Sequence, residues 1–151
     1  MDKPGTVDEV LDYAIERESE AAKFYADLAG RSEWQWMQST FLEFSREEAA
    51  HKAKLLAIKQ GRLLMPSAQR VTDLRIADHL IEVAPHNKLT YKQALMLAMQ
   101  REKASFRLYT DLASATENAG LRTTFQVLAL EEAKHKLRFE LEYDNEILTE
   151  N

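Results

Sequence analysis

The chain repeats itself once without a gap: Glu18 and Glu102, Tyr25 and Tyr109, Glu48 and Glu132, and His51 and His135 are each 84 residues apart. A duplicated unit restricts the fold to two similar halves that bury one face against each other. The match begins where Thr6-Val7-Asp8-Glu9 aligns with Thr90-Tyr91-Lys92-Gln93. Each stretch reads as a capping box, in which Thr covers a free backbone N–H and the Glu or Gln reaches back. It continues through Leu11/Leu95, Ala14/Ala98, Arg17/Arg101, Thr40-Phe41/Thr124-Phe125 and Glu47-Glu48-Ala49/Glu131-Glu132-Ala133.

Each half reads as a helical hairpin, with repeats over about 6–60 and 90–146. Helices are expected at about 7–30, 33–60, 91–116 and 119–146. Gly30, Ser32 and the Thr116–Asn118 stretch with Gly120 supply turn chemistry, and Gly61 closes the second helix. Residues 61–89, with Pro66, Pro85 and an expected short helix near 73–83, form a crossover long enough to run back along a bundle. With 45% hydrophobic residues the chain can bury one core. The expectation for 1–151 is therefore a single all-α domain, a four-helix bundle of two hairpins.

Bundle helices carry apolar residues at alternating steps of three and four. The first helix does so through Leu11, Ala14, Glu18, Ala21, Tyr25 and Leu28, and the second through Met37, Phe41, Phe44, Glu48, His51, Leu55 and Ile58. The third runs Leu95, Ala98, Glu102, Ser105, Tyr109, Leu112, and the fourth Leu121, Phe125, Leu128, Glu132, His135, Phe139. All four seams hold a glutamate where a hydrophobe belongs. A buried unpaired carboxylate either protonates or finds a cation. No Lys or Arg lies on these seams, so the compensating charge comes from outside the chain. Two divalent metals match four carboxylates.

Register agrees with this reading. Positions 18 and 48 are equidistant from 33, and 102 and 132 from 117, both turn positions, so each hairpin sets its two glutamates at one height. His51 and His135 follow their glutamates by three residues on the same helix face. A single Glu-x-x-His is weak evidence, because helices are rich in Glu. Two copies at one offset, each with an upstream seam glutamate, point to a metal centre of Glu18, Glu48, His51, Glu102, Glu132 and His135. Carboxylate oxygen plus one imidazole per metal, without thiolate, suits iron or manganese, with zinc as a substitute.

Other candidates read more plainly. Glu20 leaves the seam, and Glu47 and Glu131 sit one position off it, as solvated helix charges. His79 and His86 lie in the crossover without repeat partners and read as surface residues. Tyr25 and Tyr109 either fill the core or bond a ligand carboxylate across the bundle. Trp34 and Trp36 cover a core end or a subunit contact.

The net charge of −5, without a basic block, disfavours nucleic acid and anionic lipid. No cysteine is present, which excludes disulfides and iron-sulfur centres on this chain. The absence of a signal-like start or a long apolar run leads to the expectation of a cytoplasmic, non-membrane protein.

Glu18 with Phe24-Tyr25, Glu48-Ala49-Ala50-His51, Glu102 with Tyr109, and Glu132-Ala133-Lys134-His135 resemble the rubrerythrin branch of the ferritin-like di-iron proteins. The likeness spans the chain apart from the crossover. It implies two iron ions, with Glu48 and Glu132 bridging, Glu18 and Glu102 terminal, and one histidine per metal. It also implies a homodimer, in some relatives with exchanged helices, that reduces hydrogen peroxide or dioxygen with electrons from an external donor such as a rubredoxin-like protein. Iron handling by ferrous oxidation and a purely structural metal bundle are the alternatives. Two departures stand out: the chain lacks the four cysteines of a rubredoxin domain, and the positions flanking Glu102 are Met99 and Ser105, where many relatives have a further glutamate.

Overall fold

The computed structural model describes residues 7–61 and 89–150. The short helix expected near 73–83, Pro66, Pro85, His79, His86 and the Thr6 cap lie outside them. Four helices follow in order: α1 Val7–Ala29, α2 Gln38–Gln60, α3 Tyr91–Ala115 and α4 Ala119–Glu150. α1 packs chiefly on α2 and α3 chiefly on α4, giving two hairpins, with α1 also meeting α3. Among the described residues no helix is long and apolar enough to cross a membrane.

The helix ends follow local chemistry. Thr90 Oγ1 accepts the Gln93 N–H while Gln93 Oε1 accepts the Thr90 N–H, the expected capping box of α3. Asn118 Oδ1 accepts the Leu121 N–H and caps α4. α2 starts later than the expected 33, because Ser32–Met37 is a 3-10 segment broken at Trp34, whose φ of −123° and ψ of 41° are not helical. Three residues per 3-10 turn align Trp34 with Met37, and both are buried. Trp34 caps the core end beneath the Arg31 guanidinium, 4.1 Å from its ring, and packs on Tyr91. Trp36 stays exposed and donates to Glu142. α4 runs four residues past its expected end, without Gly or Pro to stop it. The one-turn ion pairs Lys136–Glu140 and Arg138–Glu142 support it there.

The seam residues are buried as the spacing requires, except Ser105, which is half-buried. They form two apolar clusters. Leu11, Leu55, Leu112, Phe125 and Leu128 belong to one, and Tyr25, Met37, Phe41, Leu95 and Phe139 to the other. The six polar seam residues interrupt the apolar seams between them.

Candidate metal centre

Each helix contributes to one polar cluster at mid-bundle. Glu18 comes from α1, Glu48 and His51 from α2, Glu102 from α3, and Glu132 and His135 from α4, and none is more than 4% exposed. Their donor atoms form two groups, each within 4.8 Å: Glu18, Glu48, His51, Glu132 and Glu48, Glu102, Glu132, His135. Glu48 and Glu132 belong to both. The contacts follow the repeat. His51 Nδ1 lies 2.8 Å from Glu132 and 3.6 Å from Glu18, while His135 Nδ1 lies 3.3 Å from Glu48 and 3.5 Å from Glu102.

Hydrogen bonds hold the outer atoms and leave the inner ones free. Tyr25 donates to Glu102 Oε1 and Tyr109 to Glu18 Oε1, each from the opposite hairpin. His51 Nε2 donates to Glu131 and His135 Nε2 to Glu47, again across the bundle. The remaining atoms face one another without a hydrogen bond: Glu18 Oε2, Glu102 Oε2, both oxygens of Glu48 and Glu132, and both Nδ1 atoms. Buried polar atoms are rarely left unsatisfied in folded proteins. Eight of them, gathered in two overlapping groups, form a donor set of carboxylate oxygen and imidazole nitrogen, which suits hard or borderline divalent metals and offers nothing to soft ones. The residues present therefore fit a two-metal centre.

The electrostatics carry the same message. Burial first, and then the neighbouring carboxylates, push the carboxyls of Glu48 and Glu132 well above the usual range. Burial pushes His51 down, but Glu18, Glu48 and Glu131 outweigh it and raise the imidazole to about 9. His135 is raised against burial to about 11 by Glu102 and Glu48. Burial and then the nearby carboxylates raise the hydroxyls of Tyr25 and Tyr109 well above their ordinary value, so both keep their protons. Without metal, the cluster draws in protons.

The structure thus brings all six candidate ligands together and sets both tyrosines against ligand carboxylates. Glu47 and Glu131 do more than the solvated charges expected of them. Their side chains are 45% and 43% exposed, yet each bonds a buried histidine. The signal available in the sequence was that both immediately precede a seam glutamate and are themselves 84 residues apart. The two halves are not identical: Phe44 stacks on His135 at 3.9 Å, whereas its repeat equivalent is Leu128.

The family model described as Rubrerythrin matches residues 9–143. A solved structure from Thermotoga maritima, described as a ferritin-like diiron-carboxylate protein, superposes with a TM-score of 0.77 at 22% identity, covering 95% of this chain and 98% of that one. That likeness shows a ferritin-like fold. No curated protein matches the chain.

Proposed function

Because this chain belongs to the rubrerythrin family, we propose that its buried cluster holds two iron ions and that the protein reduces hydrogen peroxide, or dioxygen, with electrons from a separate donor. The observation that carries this reading is the pair of overlapping donor groups sharing Glu48 and Glu132. Neither oxygen of either shared glutamate is hydrogen-bonded, which leaves both available for a bridging role. Glu18 and Glu102 each have one oxygen tied to a tyrosine and one free, as expected of terminal ligands. The imidazoles of His51 and His135 present Nδ1, because Nε2–H is committed to Glu131 or Glu47; this hydrogen bond selects the tautomer and fixes the ring.

When bound, two ferrous ions supply one electron each, matching the two-electron reduction of an O–O bond. One peroxide consumes those two electrons and two protons and leaves as two waters. The chain provides the surroundings. Phe41 and Phe139 pack on Tyr25, Phe125 on Tyr109 and Phe44 on His135, so buried aromatic rings restrict water around the groups that touch the cluster. Tyr25 and Tyr109 hold their protons at the outer oxygens of Glu102 and Glu18. The half-exposed carboxylates of Glu47 and Glu131 connect His135 and His51 to solvent, a route for protons. The electron source proposed is a rubredoxin-like donor, which restores the reduced state.

A second copy of the chain is the partner proposed for α4. Val127, Leu130, Leu137 and Leu141 are exposed there at heptad spacing, while their repeat equivalents on α2 are Glu43, Arg46, Ala53 and Ala57. An apolar stripe found in one half only is not needed by the bundle itself, and it fits self-association.

Stopped-flow oxidation of the anaerobic diferrous protein tests the reaction. Faster oxidation by peroxide than by dioxygen at equal concentration, with turnover on adding donor and reductase, is the expected result. Faster oxidation by dioxygen, or accumulation of many irons per chain, would replace it with an oxidase or iron-handling reading.

A further inference from the structure

Two buried nitrogens outside the cluster also lack a partner: Nε of Arg17 and Nε of Arg101. The two arginines are repeat equivalents, and each immediately precedes a cluster glutamate. Both line a small cavity of about 20 Å³ between α1 and α3, with Ala21, Ala104 and Ser105. Their charges are treated differently. Arg17 donates to Glu20 Oε1 at 2.7 Å and lies 3.9 Å from Glu16. In the second half the equivalents of Glu20 and Glu16 are Ala104 and Gln100. Arg101 is only 8% exposed and lies over the Phe24 ring at 4.9 Å; Glu20 and Glu102 are near enough to act on its charge, but among the described residues none forms an ion pair with it.

We propose that Arg101, assisted by Arg17, binds a small monoanion in the space that Ala104 leaves where the first half carries the carboxylate of Glu20. A guanidinium stays protonated at any physiological pH, so burial cannot be relieved by losing the proton. A charge this far buried without an ion pair is unfavourable, and its orphaned Nε–H calls for an acceptor. The Phe24 face offsets part of that cost but satisfies no N–H. The space beside the two arginines is small, about 20 Å³, and partly open, which restricts the ligand to a few heavy atoms, from chloride to formate. Formate mimics the missing carboxylate most closely, because the guanidinium fork matches its two oxygens. The argument uses no property of the metals, so it stands or falls apart from the di-iron reading.

Chloride NMR line broadening, compared between the isolated protein and variants of equal metal content, separates this site from any chloride held at the metal centre. The wild-type protein should broaden the chloride line, and formate should reverse the effect. Arg101→Met should weaken binding at least about tenfold, the effect of losing charge-assisted hydrogen bonds. Ala104→Glu restores the arrangement of the first half and should abolish binding while leaving helical content and metal content unchanged; this variant decides the matter if Arg101→Met does not fold. No broadening in the wild type, broadening that formate does not reverse, or binding that survives Ala104→Glu would overturn the proposal.

Discussion

Removing the Glu131 carboxylate should weaken metal binding at one position of the centre and spare the other. Glu131 accepts the Nε2–H of His51, whose Nδ1 faces Glu132, Glu48 and Glu18. His51 belongs only to the donor group it forms with Glu18, Glu48 and Glu132. In Glu131→Ala the ring loses the contact that fixes its tautomer and orientation, a change that ordinarily costs about 10- to 100-fold in affinity. The carboxylate is 43% exposed, so water can take over part of its role. The expected loss is therefore near the lower end, about 10- to 30-fold, or roughly 1.4–2 kcal/mol. Glu131→Gln keeps an oxygen acceptor and should lose less. Cobalt(II) titration of metal-free protein against a competing chelator, followed by visible absorption, resolves the two positions. Glu47→Ala should give the mirror result at the position served by His135. Equal weakening of both positions by Glu131→Ala, or none, would refute the positioning role.

The shared glutamates should behave differently: Glu48→Ala or Glu132→Ala should remove most metal from both positions by elemental analysis, and loss of one metal only would exclude a bridge. For the metal-free protein, stability should fall as pH rises. The raised carboxyls of Glu48 and Glu132 contribute stability that is fully present below their ordinary value of 4.5 and is lost on passing up through the folded-state value. His51 and His135 contribute stability that is present below 6.5 and lost as pH rises through about 9 and about 11. Thermal melts of metal-free protein between pH 5 and 9 should show Tm declining, and a rising Tm would contradict the sign. On α4, Leu130→Glu with Leu137→Glu should convert a dimer to a monomer by light scattering without changing metal content; an unchanged mass would mean the stripe is not the interface.

Much of the site was legible because burial of charge violates a strong rule. Glu18, Glu48, Glu102 and Glu132 stood out against an apolar seam, and the repeat turned four separate anomalies into one arrangement. What periodicity could not supply was contact between hairpins. Glu47 and Glu131 flank their seams on a helical wheel, and only the packing of α2 against α4 shows that each reaches the histidine of the other half. Tyr25 and Tyr109 were readable as core or as hydrogen-bond donors across the bundle, since the spacing sets their height but not whether their hydroxyls reach a carboxylate. The late start of α2 escaped for another reason: burial of Trp34 and Met37 overrides the helical propensity of the residues around them.

Anaerobic reconstitution with ferrous iron, followed by counting metal on the desalted protein, tests the centre most directly. Six residues that share two carboxylates between two donor groups should retain two irons per chain. Retention well below one iron per chain would contradict the assignment of Glu18, Glu48, His51, Glu102, Glu132 and His135 as a two-metal site.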